Sequence, residues 1–417
     1  MNPSPHPGPR PDVAARQAAL AAALAARIAD AVAEGRPADA ALQEYFRAHP
    51  ECGSRDRRFL GDLVFSFFRW RGWLPGTVQC KACALAWALD AEAPHPAGAA
   101  LAGDGTLFPA GRLTLSEKAA LATRWLNRAD PLRPENLVPA WVPGCLACEA
   151  DRFLDAIQRR PPTWLRVRRG REGVARAALE REAITVSAHP TVPSALAVPG
   201  SSPLPRLAAD IRALFEVQDL ASQVVGLLAA PRPGDHWGDA CAGSGGKALH
   251  LADLMDDRGR ISVSDVRADA LRALARRAAR AGFSILHPAD PKRAGGPLLD
   301  GVVVDAPCSG LGTWSRNPDA RWRTAWADVQ RLAARQLDIL SRAAMELKAG
   351  GRLVYSVCTL TRIETLDVTG QFLRAHPGFR LEPGPHPLNG ADTDGRFWVW
   401  PWDGPCDGMY IARFRRG

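Results

Sequence analysis

"HWGDACAGSGGKALHLADLM", residues 236–255, decides how the rest of this chain is read. A short strand closes on Asp239, a glycine-rich turn follows, and a helix begins near Lys247. Glycines let backbone N–H groups come close to a ligand, and the first turn of a helix favours negative charge. The turn is not a Walker loop, because neither serine nor threonine follows Lys247 and the spacing differs. Alone it points to a nucleotide-like cofactor.

Outward from this stretch, strands and helices alternate. "RISVSDV" (260–266) reads as a strand that delivers Asp265, and "RADALRALARRAARAG" (267–282) as a helix with Gly282 as its C-terminal cap. Asp290, in "HPADPK", falls where a third strand would end. "GVVVDAP" (301–307) is a strand, "VQRLAARQLDILSRAAMEL" (329–347) a helix stopped by Gly350-Gly351, and "RLVYSVC" (352–358) a strand. This alternation predicts a mostly parallel sheet with crossover helices. Acids at successive strand ends beside one glycine-rich turn suit the hydroxyls of an adenosyl cofactor at a topological switch point. NAD meets the same description, so these residues leave the chemistry open.

Two cysteines narrow it. Asp305 and Cys308 leave one strand and Cys358 leaves another, and both strands are expected to end at one crevice. Carbon 5 of a pyrimidine is a poor nucleophile. A thiolate added at carbon 6 makes the ring an enamine able to attack an electrophilic methyl group, after which a base must remove the carbon-5 proton. Asp305 is placed to hydrogen-bond the ring nitrogen and amino group. An exocyclic-amine methyltransferase also uses a strand-ending acid and proline, but needs no thiol. Spacing does not choose which cysteine is the nucleophile.

The chain has 417 residues, enough for two or three domains, and its 47% hydrophobic content argues against global disorder. A net charge of +9 favours an acidic partner, with nucleic acid first. No apolar run reaches a membrane span, and "MNPSPHPGPRPD" lacks the features of a secretory leader. The nine cysteines show no regular disulfide spacing, so a reducing cytoplasm is expected. "CKAC" (80–83) and "CLAC" (145–148) stand about 60 residues apart, too far for a zinc ribbon. They are expected to be core or loop cysteines, with no metal and with Cys80 and Cys83 on one helical face.

Residues 13 to about 135 read as helical, interrupted by a loop at 93–105. "DRRFLGDLVFSFFRWRGWL" (56–74) has one wide apolar face; its arginines, Arg69 among them, form either a solvated rim or an RNA-facing patch. "RRPPTWLRVRRGR" (159–171) holds a short strand, Trp164–Val167, amid arginines. With the helix and short strand that follow, it suits a small α/β RNA-binding module in which Arg166, Arg168, Arg169 and Arg171 face the RNA.

These motifs resemble the Sun/nucleolar-protein family of RNA cytosine-C5 methyltransferases. The resemblance is carried by "VQDLASQ" (217–223), "DACAGSGGK" (239–247), "DAPCSGLGTWSRNPDARW" (305–322), "LKAGGRLVYSVCTLTRIE" (347–364) and "DGMYIARFRR" (407–416). It implies a Rossmann-like catalytic domain using S-adenosylmethionine. The cofactor is placed on Cys241, Ala242, Gly243, Ser244, Gly245, Gly246 and Lys247, with Asp265 at the ribose, Asp290 on the adenine side and Asp305 between cofactor and base. It further implies Cys358 as nucleophile and Cys308 as the cysteine that assists product release. Small-subunit rRNA is the implied substrate, with tRNA, or a non-enzymatic assembly role with a vestigial cofactor site, as alternatives. More loosely, the N-terminal part resembles a NusB-like all-α domain. The expected division is 1–140 helical, 141–205 a small α/β RNA-binding module and 206–417 catalytic, in a monomer without a membrane anchor. Ser244 stands where the family has proline, Ala270 where it has arginine, and Glu364 keeps one acid of a usual pair.

Overall fold

The computed structural model describes residues 11–76, 78–103, 107–289 and 298–417. Asp290 therefore lies outside the described residues. The chain divides into two compact units. One comprises residues 1–159 together with 314–325, the other 160–313 and 326–417.

The first unit is helical. Its helices include α1 (Pro11–Ala33), α2 (Ala38–Ala48), α3 (Ser54–Trp70), α4 (Cys80–Asp90), α5 (Pro96–Ala102) and α6 (Leu115–Trp125). Leu60, Leu63, Val64, Phe67 and Phe68 of α3 are buried with Ala21, Ala25 and Ile28 of α1 and nearly all of α4. Where the composition predicts a loop, α5 forms. Pro96 takes the first helical turn, where its missing N–H costs nothing, and the His95 ring accepts from the Ala97 N–H. Cys80, at the first position of α4, is exposed, while Cys83, three residues on, is sealed in the core.

Arg69 is neither rim nor patch. It is buried against Asp90 at 3.0 Å and donates to the Ser315 carbonyl. That carbonyl belongs to the second stretch of this unit, 314–325, which supplies its most buried cation. Arg321 donates to the carbonyls of Arg69, Leu137, Ile157 and Trp314. Trp322 donates to the Phe68 carbonyl, and Asp319 accepts from the Ala38 N–H at the start of α2.

The second unit holds two main sheets. The smaller has the order β2-β3-β1-β4: β1 (Thr163–Val167), β2 (Ser187–Ala188), β3 (Ala195–Val198) and β4 (Phe215–Val217), all antiparallel. Helix α7 (Glu172–Arg181) packs on it through Ala175 and Leu179.

Among the described residues the larger sheet has eight strands. They are β5 (His236–Asp239), β6 (Arg260–Val263), β7 (Leu286–Pro288), β8 (Leu299–Asp305), β9 (Leu347–Val357), β10 (Phe379–Leu381), and, after the small β11/β12 hairpin (Gly384–Pro385, Asp392–Thr393), β13 (Arg396–Val399) and β14 (Met409–Arg416). The order is β10-β14-β9-β8-β5-β6-β7, with β13 beside β14. Strands β7, β6, β5, β8 and β9 run parallel, and β14 returns antiparallel to β9. The parallel strands read as apolar runs because both faces are covered; Val302, Val303 and Val304 are all buried, each worth about 1.5–3 kcal/mol. The strand order reverses between β5 and β8, which sets Asp239 and Asp305 at the mouth of one crevice.

The flanking helices are α8 (Leu220–Ala229), α9 (Gly246–Leu254), α10 (Ala268–Ala281), α11 (Trp326–Met345) and α12 (Val368–Ala375). Gly282 caps α10 in the left-handed region, as predicted. Gly350-Gly351 does not stop α11. The helix ends at Met345, because Leu347 already pairs with Leu299 and the glycines lie in a bulge of β9.

Candidate active site

The glycine-rich turn joins β5 to α9. Gly245 has φ of +94°, and a Cβ there would meet Leu274 at 2.7 Å, so only glycine holds the turn against α10. Residues Cys241 to Lys247, apart from Gly245, line a cleft of about 1070 Å³ with Asp239, Ser264, Asp265, Asp305, Cys308 and Cys358. Helix α11 closes another wall with Arg335, Ile339 and Arg342, joined by Glu346 just past its end. Those four carry no sequence signal, since only packing decides which side of α11 faces the cleft.

Asp239 is fully buried. Its Oδ1 accepts from the Cys241 N–H at 3.4 Å, and its Oδ2 has no partner among the described residues. Burial first, then the neighbouring Asp305 charge, pushes its pKa up to about 7. Lys247 donates to Asp305 Oδ2 at 2.7 Å and to Ser222 Oγ at 3.0 Å. Burial opposes its charge, yet Asp305 and Asp239 together hold its pKa above the ordinary lysine value. Ser356, at the end of β9, donates to Asp305 Oδ1 at 2.9 Å. Asp265 accepts from the Gly243 N–H and from the backbone and guanidinium of Arg267. Burial alone would raise it, but those donors bring it below the usual carboxylate range. Burial pushes Cys241 up to about 12, so that thiol is inert at neutral pH.

Cys308 and Cys358, 50 residues apart in sequence, stand with their sulfurs 3.3 Å apart. The hydrogen bond to Cys358, reinforced by burial, raises the Cys308 pKa well above the ordinary thiol value. Cys308 therefore stays a thiol at neutral pH, and either sulfur can be the donor in this contact. Gly312, just after the Cys308 turn, donates to the Cys358 carbonyl, and a Cβ on it would strike the Gly408 carbonyl at 1.9 Å. Glycine is the residue that lets the two cysteine loops and the start of β14 meet.

The residues present suit an adenosyl cofactor. A cleft of this volume exceeds the roughly 300–1,000 Å³ of a site for one small molecule, leaving room for a second group. The orphaned Asp239 Oδ2 calls for a donor from whatever fills it.

Arg166 requires a correction. It is fully buried, donates to Gln218 Oε1 at 2.7 Å and pairs with Asp253 at 3.3 Å, so it presents nothing to RNA. Strand alternation turns it inward, and its partners arrive from 52 and 87 residues away. Arg168 is half-buried over the Phe283 ring and donates to the Ala281 carbonyl. Arg169 is exposed beside Asp256, and Arg171 is exposed. Among the described residues no three metal-ligating side chains converge, and no helix is long and apolar enough to cross a membrane.

The family model of 16S rRNA methyltransferase RsmB/F matches residues 226–415, the stretch that carries the cleft and both cysteines. Over those residues the chain is similar to this family, and the match covers less than half of its 417 residues. It is 34% identical over 211 residues to the probable ribosomal RNA small subunit methyltransferase B of Bacillus subtilis, covering 48% of this chain and 47% of that one. It is 38% identical over 222 residues to ribosomal RNA small subunit methyltransferase B of Thermus thermophilus, covering 52% and 54%. The chain thus spans about half the length of these curated relatives. The crystal structure of PH0851 superposes with a TM-score of 0.73 at 24% identity, over 95% of this chain and 99% of that one, which shows a shared fold.

Proposed function

We propose that this chain transfers a methyl group from S-adenosylmethionine to carbon 5 of a cytosine in small-subunit rRNA, through a covalent bond between Cys358 and carbon 6 of the base. The observation that carries the reading is the 3.3 Å approach of the two sulfurs beside the glycine-rich turn. When bound, the cofactor supplies an electrophilic methyl group. The chain supplies the rest. The Cys308 thiol stands within hydrogen-bonding distance of the Cys358 sulfur, at 3.3 Å, so a proton can pass between the two sulfurs as the bond to carbon 6 forms or breaks. Asp305, held by Lys247 and Ser356, faces the base and hydrogen-bonds its nitrogen edge as the adduct forms. The cytosine leaves its stack to reach the cleft. Cys308 then assists departure of Cys358 from the methylated ring. Asp239, Asp265 and the Cys241–Lys247 turn hold the cofactor, and Asp290 contributes on its adenine side.

The helical unit and the small sheet are proposed to hold RNA, with Arg168, Arg169 and Arg171 as contacts. The net positive charge supports this. The protein is proposed to act as a cytoplasmic monomer.

The test is methyl transfer from radiolabelled S-adenosylmethionine to 16S rRNA, with bisulfite mapping of the product. Cys358→Ala is expected to abolish transfer. RNA containing 5-fluorocytidine is expected to trap the wild-type protein as a denaturation-resistant adduct. Full activity of Cys358→Ala, or label on an exocyclic amine, would overturn the reading.

A further inference from the structure

Cys358 is followed by Thr359 and, within one turn of π-helix (Ile363–Asp367), by Glu364, whose side chain is completely buried. A buried carboxylate is costly unless donors surround it, and here five converge. Oε1 accepts from the Ser309 N–H at 2.8 Å and Gln336 Nε2 at 3.0 Å. Oε2 accepts from the hydroxyls of Ser309 at 2.5 Å, Thr361 at 2.9 Å and Thr359 at 3.1 Å. Ser309 adjoins Cys308, and Thr359 adjoins Cys358. Gln336 spends its other N–H on the Pro307 carbonyl at 2.9 Å, and its oxygen accepts from Tyr355. Both neighbours of Cys308 and one neighbour of Cys358 are thus tied to a single carboxylate.

We infer that Glu364 is a positioning residue that clamps the two cysteine loops together and sets the separation of their sulfurs. Glu364 does not line the cleft, so it acts through the loops and not on cofactor or base. The physical reason for a carboxylate is charge. Hydrogen bonds to an ionised acceptor are about twice as strong as neutral ones, and one carboxylate can gather hydroxyls from both loops. A serine or amide at this position would satisfy fewer donors and repel some. The consequence for turnover rests on the methyl-transfer reading above; the consequence for sulfur separation does not.

The test has two arms on the full chain. Phenylarsine oxide condenses with two adjacent thiols: two S–H bonds break, two As–S bonds form and the oxide oxygen leaves as water. Wild type is expected to bind one equivalent more than Cys308→Ala. Glu364→Gln is expected to lose that equivalent while all its thiols still titrate singly after unfolding. In the second arm, Glu364→Gln is expected to lower kcat about 100-fold, with the RNA KM and cofactor Kd within about twofold of wild type. Ser309→Ala and Thr361→Val each remove one hydroxyl from Oε2, but only Ser309 adjoins a cysteine. Ser309→Ala is therefore expected to lower kcat several times more than Thr361→Val at equal loss of thermal stability, and this pair serves if Glu364→Gln does not fold. Retention of the arsenical equivalent by Glu364→Gln, or equal kcat for the two hydroxyl variants, would overturn the inference. A wild type that methylates no cytosine would sink the proposed function, yet the arsenical titration would still decide the clamp.

Discussion

Arg321 in the helical unit and Lys247 in the sheet unit are both buried cations, and they are satisfied in different ways. The guanidinium of Arg321 is spent on four main-chain carbonyls, drawn from α3, from residues near 137 and 157, and from its own segment. The ammonium of Lys247 is spent on Ser222 and on Asp305, and Asp305 opens on to the cleft. A buried charge whose partners are all internal holds a fold together. One whose partner faces a cavity is also placed to act on whatever fills it.

That contrast can be broken by experiment. The largest expected effect is on Lys247→Met, which leaves Asp305 without its counter-ion. Methyl transfer is expected to fall by at least about 100-fold, measured with saturating RNA and cofactor, with a much smaller change in thermal midpoint. Arg321→Met is expected to do the reverse. It strands four buried carbonyls and costs about 3 kcal/mol or more in urea unfolding, while activity per folded molecule stays near wild type. A fragment of residues 1–159 lacks Arg321, Trp322 and Asp319, so it is expected to unfold more easily than the same residues in the full chain. If Arg321→Met changed kcat alone, or Lys247→Met changed stability alone, the contrast would fail.

Asp239 sharpens it further. Its folded pKa is raised to about 7 from an ordinary value of 3.8. Between those values the folded state holds a proton that the unfolded chain has released, so stability falls as pH rises from about 4 to about 7. The loss is about 1.4 kcal/mol for each unit by which the two pKa values differ. Asp239→Asn is expected to flatten that part of the profile, measured by urea unfolding of the cofactor-free protein. A slope unchanged by the substitution would show that Asp239 is ionised throughout.

The smallest effects belong to the other cysteine pair. Cys80→Ser, at an exposed position, is expected to change stability by less than about 0.5 kcal/mol. Cys83→Ser puts a hydroxyl in the sealed core of α4 and is expected to cost about 1–3 kcal/mol. Neither should alter methyl transfer, and metal analysis of the purified protein should find no stoichiometric zinc.

Strands such as "GVVVDAP" and helices such as "RADALRALARRAARAG" were legible because their signal is local. A strand covered on both faces is an apolar run, and a one-sided helix repeats every three to four residues. Asp239 and Asp305, which end β5 and β8, were legible for the same reason. Arg166 was not, because in "TWLRVRRGR" its chemistry matches its neighbours, and only strand alternation with Gln218 and Asp253 from distant segments buries it. The segment Trp314–Ala325 reads as a continuation of the catalytic motif, yet its side chains complete the helical unit. The strands β10 to β13 left no comparable local signal, since each has only two to four residues.

From its order of residues alone, this chain determined the alternating strands and helices, the glycine-rich turn, and which residue types arrive at the strand ends. Those are properties of short windows, set by backbone preference and by the period of apolar side chains. Three-dimensional packing decided which charges are sealed, which segment completes which unit, and that Cys308 and Cys358 come within 3.3 Å while Cys80 and Cys83 face different surroundings. Such outcomes depend on atoms brought together from tens of residues apart, and no window of sequence contains both partners.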